Sequence, residues 1–260
     1  MNLQLKEFAL PRWLLISSAI MVVLGTLIWQ MPVKWFQGTV SAATKCKVLL
    51  TDPSGTLWRG GTAIGFSEPG LDGQSCRPPQ AITERLYWST ECSLQKRNCT
   101  VRIETAALEN TLFATIGLDG IMVQQNEVQL PAEILEMLGA PWTILHPRGD
   151  LTARWSDLHF SRSGNSGNIR ANLDGLSSPV SLIRPLGNYS VQANFSGRNV
   201  NYSLSTTEGP LLLSAEGAIG ADGKASGRGE ASATPESQEA LNGLLSLIGR
   251  RQGNTYMLVF

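Results

Sequence analysis

Between Trp13 and Trp29 the chain reads WLLISSAIMVVLGTLIW, without a charged side chain. As a helix this run extends roughly 25 Å, close to the roughly 30 Å hydrocarbon thickness of a bilayer. Leu14, Leu15, Ile16, Val22, Val23, Leu24, Leu27 and Ile28 supply its apolar surface. Trp13 and Trp29 stand at its ends, where amphipathic rings favour a membrane–water interface. We expect a transmembrane helix over residues 13–31. A core helix is seldom uncharged for so long. A cleaved signal peptide is the stronger rival, with Lys6 and Arg12 as its basic start and Val40-Ser41-Ala42 as its cleavage site. The apolar run is longer than the usual h-region of about 7–15 residues, and a long gap separates it from that site. The reading is therefore an uncleaved anchor. Its tail, residues 1–12, lies in the cytoplasm, because Lys6, Arg12 and the terminal amine precede the helix.

An anchor of this kind puts the remaining chain outside the cytoplasm, and the cysteines agree. Cys46, Cys76, Cys92 and Cys99 all follow the anchor, and an even number suits two disulfides in an oxidising compartment. Four cysteines allow three connectivities. The local pairs Cys46–Cys76 and Cys92–Cys99 are favoured because each would clip a hairpin. No C-x-x-C pair or neighbouring histidine supports a zinc site. Net charge is zero and 16% of residues are charged, so no basic field is present to recruit nucleic acid.

Past a linker over residues 32–44, short alternating segments separated by Gly-containing turns argue an antiparallel meander rather than βαβ units. The expected fold is mainly β: an exported antiparallel domain, as a curved sheet, groove or partly open barrel or sandwich, with two short helices. Strands are expected at Lys47–Leu50, Thr56–Ile64, Glu84–Ser93, Val101–Thr105, Thr111–Leu118 and Ile121–Gln129. Asp52-Pro53-Ser54-Gly55 and Asp119-Gly120 are read as turns. Pro131 to Leu138 changes to a helical period that Gly139 ends. Strands then return at Asp150–Trp155, Asp157–Arg162, Gly167–Leu173, Tyr189–Gly197, Asn199–Thr206, Gly209–Gly217 and Lys224–Ala233. The turns between them are Gly164-Asn165, Asp174-Gly175, Gly187-Asn188, Glu208-Gly209 and Asp222-Gly223. Thr234-Pro235-Glu236 opens a second helix through Ile248, and Tyr256–Phe260 is a closing strand. The exported part divides into β-rich halves at 45–130 and 149–260, joined by a helical connector at 131–148.

Chemistry is sparse. The sequence holds no nucleophile-elbow, zinc-hydrolase, Walker or dinucleotide-binding motif. His146 and His159 have no spaced ligand set, and Glu84, Glu91, Asp150 and Asp157 read as scattered surface acids rather than a glycosidase pair. We expect no enzymatic activity, no cofactor and no metal. Trp58, Trp88, Trp142 and Trp155 are expected to supply core bulk or interface anchors.

One set of segments is shared with a known family: Gly55-Thr56-Leu57-Trp58-Arg59-Gly60, Leu130-Pro131-Ala132, Leu138-Gly139-Ala140-Pro141-Trp142, Pro185-Leu186-Gly187-Asn188-Tyr189, Thr207-Glu208-Gly209-Pro210-Leu211 and Gly249-Arg250-Arg251. Together with the single N-terminal apolar helix, they resemble protein N of the bacterial type II secretion system. The resemblance implies a non-enzymatic, inner-membrane accessory component of the machine that moves folded proteins through an outer-membrane secretin. It also implies that the β domain is periplasmic. Its implied partners are the inner-membrane platform and, beyond it, the secretin. The alternative reading of the same chain is a periplasmic lipid-binding or lipid-transfer protein with a curved β groove.

Overall fold

The computed structural model describes residues 12–67, 70, 75–79, 81–82, 84–138, 142–221, 225–253 and 255–259. Outside them lie the tail 1–11, half of the loop from Glu68 to Pro79, the Gly139 cap with Ala140-Pro141, the Asp222-Gly223 turn and Phe260. The side chains of Leu14 and Leu15 are also outside.

Among the described residues, seventeen strands join into one sheet in which every pair is antiparallel. The first half supplies β1 (Val48–Gly55), β2 (Arg59–Phe66), β3 (Ala81–Ile82), β4 (Leu86–Ser93), β5 (Asn98–Glu104), β6 (Leu112–Gly117), β7 (Gly120–Val123) and β8 (Asn126–Pro131). The second supplies β9 (Arg148–Trp155), β10 (Leu158–Ser161), β11 (Gly164–Ser177), β12 (Gly187–Gly197), β13 (Asn199–Glu208), β14 (Leu211–Ile219), β15 (Ala225–Ala233), β16 (Arg250–Gln252) and β17 (Thr255–Val259). Three of the long strands are broken in two. β3 and β4 lie end to end along β2, and β7 and β8 lie end to end along β10 and β9, which themselves share one side of β11. With the breaks counted as single strands, the ladder advances in chain order from β1 to β15. Only the end departs from this order: β17 pairs with β15, and β16 flanks β17 on the outside. The pattern is the meander expected from the turn spacing, and the ladder runs unbroken from β8 to β9.

Several local expectations need correction. Asp52-Pro53-Ser54-Gly55 is no turn but the end of β1, where Asp52 takes a positive φ of 48° and the register slips between Thr51 and Ser54. The reversal falls instead on Thr56, Leu57 and Trp58. Asp174-Gly175 is a bulge inside β11, its register shifting between Leu173 and Leu176 against β12. Gly164-Asn165 and Gly187-Asn188 begin strands rather than connect them. The expected strand Ile121–Gln129 is interrupted after Val123. Residues 132–138 form a 3-10 helix, followed by the short α3 (Trp142–Leu145). The last helix, α4 (Gln238–Ile248), starts after Ser237, because residues 234–237 form a turn in which the Ser237 N–H donates to the Thr234 carbonyl.

The N-terminal helix α1 (Arg12–Trp29) has 18 residues and is about 27 Å long. It stops two residues short of Met31. Pro32, at φ −69° and ψ 135°, lacks an N–H for the helix and pushes the residue before it out of the α region. Among the described residues, no helix is long and apolar enough to cross a membrane. A one-turn 3-10 helix (Val33–Phe36) and α2 (Gln37–Ala43) then lead into β1.

The core sits at one end of the strands in the second half. Leu173, Leu176, Leu186, Tyr189, Leu211, Ala231 and Tyr256 of the sheet and its loops meet Ala132 of the 3-10 helix and Leu241, Leu244 and Leu245 of α4. The leucines of α4 fall at the i, i+3, i+4 spacing of one helix face. Leu241 and Leu245 are almost completely buried. Ser178 Oγ donates to the Leu145 carbonyl, tying the loop after β11 to α3. The helical segments close that end of the sheet as a plug.

Candidate functional site

The end of α1 is held by the first hairpin. The turn sequence Thr56-Leu57-Trp58 grips the helix terminus through its backbone and its indole. The Leu57 N–H donates to the Met31 carbonyl at 3.0 Å, and Trp58 Nε1 donates to the Ile28 carbonyl at 3.0 Å. Thr56 makes a β-bridge to Pro32. The Trp58 and Trp29 rings stack, with centroids 6.2 Å apart and planes 25° off parallel. Carbonyls at a helix C-terminus lack the usual i+4 donor, so the Trp58 indole adds a donor to the Ile28 carbonyl beside the Met31 N–H at 3.4 Å.

The turn is in turn held from the sheet. Trp88 Nε1 on β4 donates to the Leu57 carbonyl at 3.0 Å, and the Thr90 N–H donates to the Trp58 carbonyl at 2.7 Å. Gly60 lets this happen: a Cβ there would lie 2.6 Å from the Trp88 ring and 2.5 Å from the Ser54 carbonyl oxygen. Gly55 has φ +87°, and a Cβ on it would stand 2.4 Å from the Arg59 carbonyl oxygen. The register slip in β1 is braced by Arg85, which pairs with the Asp52 carboxylate at 2.6 Å and donates to the Asp52 carbonyl and Ser54 Oγ. Below the turn, Gln37 Nε2 of α2 donates to the Leu50 carbonyl at 2.9 Å. Disulfides join Cys46, before the start of β1 and at the far end of that strand from the collar, to Cys76, and Cys92 to Cys99 across the β4–β5 hairpin.

Of the four tryptophans singled out, Trp58 and Trp88 meet at this junction. Trp155 lies elsewhere in the sheet, donating to the Gln124 carbonyl at the break between β7 and β8. Trp142 starts α3 in the plug; all four are half-buried. His146 pairs with Glu136 at 3.1 Å within the plug, and His159 is exposed on β10. The four acids are dispersed, and Asp157 accepts the Gln125 N–H at 2.8 Å. Among the described residues, no three His, Cys, Asp or Glu side chains cluster as metal ligands would. The buried Glu127 takes Arg154 as its partner, a hydrogen bond that raises the guanidinium pKa. The Tyr189 phenol donates to the Leu186 and Leu211 carbonyls in the core, and burial pushes its pKa well up. A broad, open depression of about 680 Å³ spans β12 to β15, where Glu216 and Arg228 stand opposite each other. The sequence reading missed the grip of Trp58 on α1. The available signal was a tryptophan in a hairpin turn following a helix that itself ends in tryptophan.

A long antiparallel meander tethered to an apolar helix through a stiff collar defines a structural or interaction module. The family model for type II secretion system protein N matches residues 46–259, and the chain belongs to that family. Membership makes it an accessory component of type II secretion in the cell envelope, and the family is not a known enzyme family. The matched region takes in all seventeen strands and both disulfides and leaves α1 outside. No curated protein and no solved structure matches the chain.

Proposed function

We propose that this chain is a non-enzymatic accessory subunit anchored in the bacterial inner membrane by α1. Its sheet stands in the periplasm, where it contacts the inner-membrane platform of the secretion machine and, through it, the secretin. The observation that carries this reading is the surface of α1. Ile16, Ile20, Met21, Val22, Val23, Leu24, Leu27 and Ile28 are each more than half exposed. Residues 20–24 alone cover the full circumference of a helix at 3.6 residues per turn. Burying one such side chain is worth about 1.5–3 kcal/mol, and the described residues leave more than half of each uncovered. A helix apolar all round is suited to lipid. The collar then fixes the direction in which the sheet leaves the bilayer, and Trp13, Trp29 and Trp35, all strongly exposed, sit where interfacial rings belong. The four cysteines, paired as two disulfides, suit the periplasm.

The test is a topology and capture experiment in a host carrying the secretion machine. A C-terminal alkaline phosphatase fusion to the full chain should be active, and the anchored protein should co-purify with platform subunits after mild cross-linking. An inactive fusion, a mature protein beginning near Ala43, or secretion and platform assembly unaffected by a clean deletion would overturn the reading.

A further inference from the structure

In an antiparallel sheet, directly paired residues point to the same side, so the register assigns each strand residue to one of two faces. One face carries Trp88, Ile103, Leu112, Ile116, Ile121 and Phe160, linked pair by pair across β4, β5, β6, β7 and β10. It continues through Ile169, Ala193, Phe195, Val200 and Tyr202 on β11, β12 and β13. From β4 to β15 no described strand residue on this face is Asp, Glu, Lys or Arg, whereas Arg102, Arg170, Glu216 and Arg228 lie on the other. The helical plug covers this apolar face at one end of the strands only. At the opposite end it is open: Ile116 and Ile121 are 46% and 42% exposed, beside the edge-to-face pair Phe160–Phe195.

The open end has a charged rim. Successive hairpins of a meander return alternate turns to the same edge, so residues 94–97, 118–119, 162–163 and 197–198 lie along it, with the Thr56–Trp58 turn that grips α1. Those four turns expose Lys96, Arg97, Arg162 and Arg198 against the single acid Asp119. None of the four cations is in an ion pair among the described residues. From β6 to β13 the open stretch crosses five interstrand steps, roughly 24 Å, which exceeds the roughly 15 Å hydrocarbon depth of one bilayer leaflet.

We propose that this stretch binds an anionic phospholipid. An acyl chain lies along Ile116, Ile121, Phe160 and Phe195, and the phosphate lies among the turn cations, Arg162 and Arg198 foremost. Interior strands have their backbone groups paired, so apart from the Asn165 amide opposite Phe160 this stretch offers hydrocarbon contact with few directional hydrogen bonds, which suits a chain rather than a peptide. The cations supply what the headgroup needs. The inference stands on the sheet and its turns and holds whether or not the protein touches the secretion platform.

The experiment reconstitutes the full chain in phosphatidylcholine nanodiscs doped with phosphatidylglycerol bearing a diazirine in its acyl chain, then maps photoadducts by mass spectrometry. Adducts are expected in residues 112–123, 158–169 and 191–202 as well as on α1. Phe195→Lys should reduce the sheet adducts about tenfold or more while leaving those on α1 unchanged. If Phe195→Lys lowers the circular dichroism of the sheet, Phe195→Gln serves in its place. Asn194→Lys, on the opposite face, should change nothing. The double substitution Arg162→Glu and Arg198→Glu should reduce labelling by phosphatidylglycerol but not by phosphatidylcholine carrying the same diazirine. Adducts confined to α1, equal labelling of both faces, or a photoreactive residue at Phe195 that captures a protein instead of lipid in native membranes would overturn the proposal.

Discussion

Replacing Trp58 separates the two grips of the collar. Trp58→Phe removes the Nε1–H donor to the Ile28 carbonyl and keeps a ring against Trp29. One such hydrogen bond contributes about 0.5–1.5 kcal/mol. Trp58→Ala also removes the stacked ring pair, worth about 0.5–1.5 kcal/mol more, so the alanine variant should weaken the grip by about 1–3 kcal/mol. If the turn releases α1 in a local opening, the opening constant should rise about 5- to 150-fold in the alanine variant and at most about tenfold in the phenylalanine variant. Hydrogen exchange of the Leu57 amide reads this directly, because its N–H donates to the Met31 carbonyl across the junction. The Thr90 amide, bonded to the Trp58 carbonyl inside the sheet, is the internal control and should keep its protection. The measurement is made in nanodiscs, the setting in which the proposed anchoring of α1 applies. Unchanged Leu57 exchange in Trp58→Ala would refute the collar as a mechanical link. Equal acceleration of Leu57 and Thr90 would show unfolding of the hairpin instead.

Removing the Cys46–Cys76 bridge by serine substitution should cost more than removing Cys92–Cys99, about 3.7 against about 2.5 kcal/mol on chain-entropy grounds, because it closes the longer loop; denaturant midpoints of the two double variants would show the reverse order if this is wrong. Leu241→Ala in the plug should cost about 2–5 kcal/mol and lower the melting temperature, since the side chain is fully buried. Gly60→Val should destabilise by about 1–3 kcal/mol through its clash with Trp88, visible as a shift in melting temperature, and a neutral effect would refute the tight packing assigned there. Burial holds the Tyr189 phenol neutral, so its folded pKa lies above the unfolded value of about 10. Its contribution is therefore complete below pH ~10 and falls as pH rises further, and Tyr189→Phe should flatten the loss of stability above pH ~10 without steepening any acid transition.

Strand order and hairpin positions were legible in the sequence because they depend on alternation and on turn residues, both local properties. Asp119-Gly120 and Glu208-Gly209 behave as such signals should. Asp174-Gly175 carries the same residues and fails, since pairing of β11 with both β9 and β12 holds the strand straight past a bulge. The start of α4 was misread because Thr234-Pro235 has the composition of a helix N-terminus, yet its backbone forms a turn that connects β15 to the plug. The expected helix at 131–138 is wound as a 3-10 segment, with Ala132 fully buried in the core. The junction left a weaker trace. Its two tryptophans were visible, but the groups they meet are not: the Trp58 indole and the Leu57 N–H donate to the Ile28 and Met31 carbonyls, far apart in sequence, and no side-chain pattern records a carbonyl that accepts them.

The chain-order ladder bears on how the molecule is made. Each strand up to β15 finds its partner in the segment made just before it, so sequence separations are short and little loop entropy opposes pairing. A chain that folds from its N-terminus can add strands to β1 one at a time, with α1 already beside the first hairpin. Both disulfides join cysteines within residues 46–99, so neither needs the second half in place to close. The growing edge stays open until β17 pairs with β15, and the plug, whose α4 comes almost last, seals the core at the end. Synthesis and folding become a single directional process, in which the first-made strands template the rest.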